Sequence, residues 1–581
     1  NAVLNFIDTA NRERSTAHFE IPINGRVEEI LRIIDIEPLG YPSKYGIAAN
    51  SVTGEAKTHL TLDFPLIKLL KLVDIDFEVL ADVQELQIPK LSDDLALSDG
   101  TMTLSVDGEG ILANGNILLN GVDFNAEWRE DFTNASAYPT KYIIDGFVEN
   151  EEWESLHLPF EPYVAGPTHA NLTLFGMGAG LKTGRGSFDL KNSEITFEPL
   201  GWNKEEGEIA EAIYTLDFME NGNINVNDIV FGSVKLNSTL QLQFDGEIVT
   251  QLFLKAITMA DADFSALFEW DADKSLYQTS IKGSKFNAIP LMDIILNPEE
   301  GVEEAELPNF DLASSMSDVM MYNDVIMEDT TILAKYVDDE IVDFGYNGNW
   351  EEDRNLSIII ASGGSETGDQ RRLTLQTNDA GQALRGLDFF TGGDQGDLLI
   401  EANMTEKEKG YSFNGTIKAE KFNIANSKAF SELLKEKEFA KAQEELEKNG
   451  LSFESFESEF IQYDDVLTIT SGSAKGPTLG VTVDGFVDQK YDEISLGGTI
   501  IPAYGINSLL SNIPLLGTIL AGGKGEGVFA ATYNMVGSVE DPDVNINPLM
   551  ALAPGIFRKI FGALGGGGND APTAREEAQQ I

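Results

Sequence analysis

The sequence contains no cysteine. That excludes disulfides, thiolate catalysis and cysteine-based zinc sites. Basic residues are scarce: 40 Lys and Arg stand against 96 Asp and Glu, a formal net charge of −56 over 581 residues. A nucleic-acid binder needs a basic face to displace counterions, and none is visible, so no nucleic-acid partner is expected. The same charge repels an anionic membrane surface over most of the chain, so a membrane contact must be local and apolar. Histidine is nearly absent. His18, His59, His157 and His169 are scattered, and none forms a helical His-Glu-x-x-His pair. His157 and His169 bring no third ligand type, so no metal site is expected.

No run reaches the roughly 18 uninterrupted apolar residues of a membrane-spanning helix. Asn1 to Arg14 is polar and lacks the apolar core of a signal peptide. The chain reads as a processed or truncated piece, with any anchor upstream. Catalytic signatures are missing as well. There is no Gly-x-Ser-x-Gly elbow and no P-loop. Gly176, Gly178 and Gly180, like Gly523, Gly525 and Gly527, form Gly-x-Gly-x-Gly runs without a dinucleotide fingerprint, and read as turns or bends. Asp271, Asp273 and Ser275 loosely resemble a calcium loop. Leu276 stands where that loop needs Gly and Lys282 where it needs Glu, so a surface turn is expected. No catalytic residue and no cofactor is assigned.

What the chain does have is apolar content of 42% and aromatic content of 9%, enough to fold. A length of 581 residues implies several domains or an extended repeat. The dominant texture is alternation. Leu60, Leu62 and Phe64 share one side of a strand, as do Met102, Leu104 and Val106. Leu240, Leu242 and Phe244 repeat the pattern, and so do Leu479, Val481 and Val483. A two-residue period means strands with one apolar and one wet face. Asn-Gly and Asp-Gly pairs punctuate these runs at Gly115, Gly121, Gly146, Gly222, Gly246, Gly348, Gly415 and Gly485, and each predicts a hairpin turn. Helical spacing is confined to Gly25–Ile36 and to Ser427–Asn449, where Ser427 is the expected N-cap and Gly450 the stop.

A sheet with one apolar face must cover it. A second sheet or closure into a barrel does so, but both become awkward for one sheet of some thirty or more strands. The remaining solution is a mainly β fold in which a long, twisted antiparallel sheet bends into an elongated hydrophobic groove, with a few short helices. Acyl chains would complete such a groove, at about 0.8 kcal/mol per buried CH₂.

Four stretches carry a family resemblance. They are "ILRIIDIEPLGYPSKYGI" with "SVTGEAKTHLTLDFPL" near the start, "LALSDGTMTLSVDGEGILANGNILLNGVDFNAEWREDF" at Leu95–Phe132, "GRGSFDLKNSEITF" at Gly184–Phe197, and a long collinear block at Gly476–Phe561. That last block contains Gly498-Thr499, Pro502, Asn507, Pro514-Leu515-Leu516-Gly517, Gly527, Asp541-Pro542 and Asn547-Pro548. The sequence resembles the AsmA-like superfamily, most closely its long YhdP-type members with DUF3971 and AsmA-like C-terminal regions. The stretch Pro298–Leu373 matches in texture only. The resemblance implies a bridge-like lipid-transfer protein in the periplasm of Gram-negative bacteria, with phospholipid as cargo and outer-membrane homeostasis as role. It implies an inner-membrane anchor, absent from this chain, and an outer membrane or outer-membrane protein met by the C-terminal end.

The expected plan is a DUF3971-like groove segment over 1–296, an acidic linker or loop over 297–309, an AsmA-like groove segment over 310–503, an apolar C-terminal region over 504–564 and a disordered tail over 565–581. Candidate groove-lining residues are the four alternating sets above, together with Phe188, Leu190, Ile195, Phe197, Leu373 and Leu375. The C-terminal region concentrates Leu509, Leu510, Ile513, Leu515, Leu516, Ile519 and Leu520, then Ile556, Phe557, Arg558, Lys559, Ile560 and Phe561. These form either an interfacial membrane contact or a cap on the open end of the sheet. Besides the conduit, two functions fit the texture: an assembly factor that pairs with client strands, as in TamB-like relatives, or a structural β-repeat spacer.

Overall fold

The computed structural model describes residues 2–8, 15–36, 48–71, 74–91, 94–133, 135–158, 160, 163–178, 180–246, 248–296, 307–351, 353–362, 371–407, 410–425, 427–463, 465–488, 490–502, 530–538 and 541–549. The fold is mainly β. Thirty of the described strands belong to one open hydrogen-bonded sheet and three to a small second sheet, with a few short helices. The chain divides into two compact units, Asn1–Gly283 and Ser284–Ile581.

The first unit contains β1 (Val3–Ile7), β2 (Thr16–Arg26), β3 (Thr53–Pro65), β4 (Asp76–Ile88), β5 (Leu97–Val106), β6 (Gly110–Leu119), β7 (Val122–Asp131), β8 (Thr140–Val148), β9 (Val164–Ala165), β10 (Thr168–Met177), β11 (Gly180–Asp189), β12 (Glu194–Phe197), β13 (Trp202–Lys204), β14 (Ala210–Phe218), β15 (Ile224–Ser233), β16 (Asn237–Asp245), β17 (Ile248–Thr258), β18 (Asp263–Asp271) and the start of β19 (Leu276–Asn287). Strands β1 to β8 pair antiparallel in chain order. The ladder passes from β8 to β10 and β11, then from β14 to β18 in order. The detour β9, β12 and β13 forms the small sheet.

The second unit continues with β20 (Phe310–Met320), β21 (Ile326–Val337), β22 (Glu340–Glu351), β23 (Arg354–Ser362), β24 (Arg371–Thr377), β25 (Gly393–Asp394), β26 (Asp397–Glu406), β27 (Tyr411–Ile424), β28 (Leu451–Tyr463), β29 (Val466–Lys475), β30 (Leu479–Asp488), β31 (Glu493–Pro502), β32 (Ala530–Gly537) and β33 (Asp543–Leu549). It too is an antiparallel meander, with β25 as a short pairing on β27. Strands β32 and β33 lie in the stretch expected to be an apolar cap. Of the expected linker, 297–306 falls outside the described residues, as does the whole tail 565–581.

The helices are α1 (Val27–Ile34), α2 (Glu152–Ser155), α3 (Ile289–Leu296), α4 (Ala380–Gly386), α5 (Lys428–Leu433) and α6 (Ala440–Asn449). In the first unit α1, α2 and the small sheet all follow strands that end on the same side of the meander. Their apolar residues close that rim. Trp153 of α2 is 1% exposed and packs edge-to-face on Phe160 and Phe188, at centroid distances of 5.1 and 5.9 Å. Leu190, Ile195 and Trp202 are buried with Ala210, Leu236 and Ile257 where the small sheet docks. The opposite rim is turned by loops without helices among the described residues, such as Asn221-Gly222 and Asp245-Gly246. The second unit repeats the asymmetry. Helices α4, α5 and α6 all connect strands on one rim, and Leu433, Leu434, Phe439, Ala442 and Leu446 are buried there against Leu451, Phe453 and Leu479.

Two sequence expectations change. The single helix over Ser427–Asn449 is two helices. Ser427 does cap the first, accepting from the Phe430 amide at 3.4 Å. The chain then turns extended at Glu436 (φ −69°, ψ 139°) before Lys437–Phe439 starts a new turn. The break lets Leu433, Leu434 and Phe439 all reach the sheet, whereas a straight helix presents only one stripe. The second change concerns the Asn-Gly and Asp-Gly pairs. Gly121, Gly222 and Gly246 have positive φ in turns. Gly115, Gly146, Gly348 and Gly415 instead lie inside β6, β8, β22 and β27 without positive φ, and Gly485 lies inside β30 with φ 133°. There the Asn or Asp faces the wet side and the glycine the apolar side. A Cβ at Gly146 would meet Phe124 Cδ1 at 2.7 Å, and one at Gly348 would meet Met327 Cε at 2.6 Å. Glycine leaves room for the neighbouring side chain and lets the sheet bend toward its apolar face.

Candidate functional site

Strand register assembles the apolar positions into a ladder. In the first unit it runs Thr58, Ala81, Leu104, Ala113, Trp128, Tyr142, Leu174, Gly184, Leu216, Val226, Leu242, Leu252 and Phe268, each directly opposite the next. At about 4.8 Å per strand, twelve steps make a path of roughly 60 Å. Every bulky member of it, from Leu104 to Phe268, remains half-buried. In a sandwich or filled barrel such residues would be covered by a second layer. A parallel row, Ile21, Leu60, Val79, Val106 and Ile111, stops at Glu130, a buried carboxylate opposite Ile111 and Thr140. The ladder thus has a polar break on one flank and an uninterrupted apolar run beside it.

The second unit builds its own ladder: Leu312, Ala334, Phe344, Ile360, Leu373, Ala402, Gly415, Phe460, Ile469, Gly485, Leu496, Met535 and Val544. Leu312, Phe344, Ile360 and Leu373 are half-buried, whereas Phe460 and Met535 are buried.

Aromatic side chains lie over the glycines. Tyr214 covers Gly186, and Tyr533 covers Gly498 with its hydroxyl donating to the Thr482 carbonyl at 2.7 Å. Burial disfavours the phenolates. It pushes the Tyr214 and Tyr346 hydroxyls up to about 12, and raises that of Tyr533 further with help from the Asp484 charge.

The opposite face is wet. Asn171 donates to Asp145 at 2.9 Å, Asn227 to Asp217 at 2.9 Å, and Thr103 to Asn114 at 2.8 Å. His18 sits between Asp63 and Glu20, at 2.9 and 3.2 Å, and hydrogen bonding to Asp63 first and Glu20 second raises its pKa. His169 pairs with Asp145 at 3.1 Å. No group of three His, Asp or Glu residues able to hold a metal occurs among the described residues. The loop at Asp271 is a turn in which its carboxylate accepts from the Asp273 amide and from Lys274. A depression of about 430 Å³ lies on this face, lined by Lys57, His59, Asp82, Thr103 and Asn114 together with the exposed Leu80 and Leu112.

The candidate residues divide by position. Leu60, Leu62 and Phe64 lie on the apolar face opposite Val79, Phe77 and Ala17. Met102, Leu104 and Val106 lie opposite Val83, Ala81 and Val79. Leu240, Leu242 and Phe244 lie opposite Ile229, Val226 and Ile224, and Leu373 and Leu375 opposite Ile360 and Ile358, although Leu375 is buried and so lines no open surface. Val483 faces Gly472 and Gly498. Leu479 and Val481 are instead 1% and 8% exposed in the core that α5 and α6 cover, so they line no open surface. Phe188 belongs to the main sheet and stacks on Tyr214, at a centroid distance of 5.4 Å. Leu190 is buried beneath the small sheet, and Ile195 and Phe197 form part of that sheet itself. A proline-free alternating stretch does not disclose that its chain leaves the main sheet after Asp189. The residues from Leu509 to Leu520 and from Ile556 to Phe561 fall outside the described residues.

The ladder also enlists residues that the alternating sets did not include: Trp128, Tyr142, Leu174, Leu216 and Leu252 in the first unit, Phe344 and Ile360 in the second. Their signal was the same alternation, in strands that the four sets did not sample; in β8 and β22 it is interrupted by in-line glycines that read as turns. No helix among the described residues is long and apolar enough to cross a membrane. No family model, curated protein or solved structure matches this chain.

Proposed function

We propose that this chain is a lipid conduit of the AsmA-like kind, acting in the bacterial periplasm without covalent chemistry of its own. Phospholipid tails lie on the apolar face, and head groups sit at the helix-free rim, where water reaches them. The observation that carries the reading is the unbroken ladder from Ala81 to Phe268, whose bulky members stay only partly buried on an open sheet. A contiguous apolar surface of this length is unusual unless something covers it. Acyl chains match it, each buried CH₂ contributing about 0.8 kcal/mol. The acidic wet face keeps the protein soluble. Movement between inner and outer membranes follows if tails exchange between neighbouring positions along the ladder.

A second reading, an assembly factor for client strands, draws on β1. It pairs only with β2 among the described residues, and Leu4, Phe6 and Ile7 are each more than half exposed. An open apolar edge is a template for strand addition.

Native mass spectrometry followed by lipid extraction separates the two. The conduit predicts several phospholipids per chain, lost when Leu104 and Leu242 are both replaced by Asp in a protein that still folds. A folded chain without lipid overturns it. Co-purified polypeptide in place of lipid supports the edge-pairing reading.

A further inference from the structure

Strand β3 leaves the sheet at Pro65, on the rim opposite α1. The turn that follows reads Leu66-Ile67-Lys68-Leu69-Leu70-Lys71, and all six residues are exposed. Leu69 is 82% exposed, and Leu66, Ile67 and Leu70 are each exposed by more than a third. The backbone is tied at both ends. The Leu66 amide donates to the Ser15 carbonyl at 2.8 Å, and the Lys71 amide to the Asp74 carboxylate at 2.9 Å. The four aliphatic side chains therefore stand in water on an anchored turn.

The turn is continuous with the apolar face of the sheet. Phe64 leads into it and packs edge-to-face on Phe19, which packs edge-to-face on Phe6 of the edge strand β1, at centroid distances of 5.1 and 5.9 Å. Phe6 and Ile7 are themselves more than half exposed. An apolar corner of this kind calls for a covering. A segment that docks in a protein groove buries one stripe and leaves the next residue wet. Here sequence neighbours are both aliphatic and both exposed. That suits a medium surrounding the turn better than a partner taking one face.

The charges fit the same medium. Lys68 and Lys71 each follow an aliphatic pair, and their long stems can lie among lipid while the ammonium reaches the phosphates. The acids flanking the run are Asp63, which binds His18, and Asp74, which binds the Lys71 amide. Asp8 accepts from Ser15, and Asp76 lies opposite Asp63. Net charge thus does not draw this corner to a membrane, and the aliphatic run has to carry the attachment. We propose that the Leu66–Lys71 turn docks the chain on a phospholipid bilayer, with its four aliphatic side chains at the boundary of head groups and acyl chains. The inference concerns attachment and holds whether or not lipid travels along the ladder.

The test uses the full chain. It contains no cysteine, so Leu69→Cys carries a single environment-sensitive nitrobenzoxadiazole label. With vesicles of phosphatidylcholine, alone or with phosphatidylglycerol, its emission should shift to the blue and be quenched by lipids brominated in the acyl chain. The same label at Glu154→Cys, exposed on the helix-lined rim, should stay unchanged. In flotation assays, Leu69→Asp combined with Leu70→Asp should weaken vesicle binding about tenfold or more at an unchanged melting temperature. Leu104→Asp combined with Leu242→Asp should float like the parent, so failure of the conduit and failure of the docking turn are told apart. A parent that does not float overturns the proposal, as does equal flotation without Leu69 and Leu70. A Leu69 label that ignores vesicles but shifts as protein concentration rises assigns the turn to self-association and overturns it too.

Discussion

The ring of Tyr214 lies across the glycine opposite it, Gly186, so closely that a Cβ there would stand 2.3 Å from the ring's Cζ and 2.4 Å from its hydroxyl oxygen. Phe188 stacks on the same ring from the neighbouring position on β11. The tyrosine fills the space that a missing side chain leaves, the aromatic rescue that lets a strand keep glycine without a hole. Replacing Gly186 with Val should push the ring off its site. The expected loss is about 1–3 kcal/mol, the range for overpacking, measured as a lower denaturation midpoint with an unchanged m-value. Gly345, on the wet face of β22 where nothing lies within 4 Å and φ is not positive, is the control for a glycine outside the apolar face.

Burial of the same residue predicts an alkaline limit. The Tyr214 hydroxyl is pushed up to about 12, against about 10 in an unfolded chain. The folded state therefore holds its proton longer. The stabilisation is fully present below pH 10 and is lost as pH rises through 10 toward 12. Tyr346 adds the same dependence in the second unit. Thermal melts between pH 9 and 12 should show a falling midpoint that is shallower in Tyr214→Phe. An identical slope in the variant would mean that the hydroxyl is not protected by the fold.

Much of this architecture was legible in the residues, because the two-residue period belongs to the strand itself. The alternation at Leu60, Leu104 and Leu242 places all three on the apolar face, as the register confirms. The in-line glycines were misread for a physical reason. Asn-Gly in a turn uses the glycine's positive φ, whereas Asn-Gly in a strand uses its missing side chain, and the dipeptide is the same. Only the side chain across the strand, Phe124 for Gly146 or Met327 for Gly348, distinguishes the two, and it is remote in sequence. The closed rim was hidden differently. Helix α2 spans only Glu152–Ser155, too short for a helical period, and Trp153 gains its role from Phe160 and Phe188.

Lys204 is the one ammonium group buried within the small sheet of the first unit. It is 2% exposed, and its Nζ donates to the carbonyls of Ser193, Glu205 and Lys191, at 2.6, 2.9 and 3.3 Å. Burial lowers its pKa, with nearby acidic residues led by Glu208 opposing the shift. The three carbonyls hold the turns on either side of β12 and β13. Lys204→Met fills similar volume but leaves those acceptors without a donor, which should cost about 1–3 kcal/mol. The damage should be local. Amide hydrogen exchange should accelerate between Lys191 and Gly207 while β5 to β8 keep their protection. Uniform acceleration would instead mean that the small sheet is integral to the stability of the whole unit.

Two leucines separate stability from binding. Leu434 is fully buried under the helical cover of the second unit, against the sheet. Leu60 lies on the apolar face of the first unit and is half-buried. Leu434→Ala opens a cavity and should cost about 2–5 kcal/mol. Leu60→Ala removes less buried surface and leaves no enclosed void, so its cost should be clearly smaller, about 1 kcal/mol or less by area. Their order should reverse for lipid. If acyl chains lie on the ladder face, Leu60→Ala should reduce extracted phospholipid per chain, and Leu434→Ala should leave it unchanged at temperatures where the variant is folded. A Leu60→Ala loss as large as that of Leu434→Ala would mean that this face is already packed in the protein alone, and the apolar ladder would then be core rather than a path for lipid.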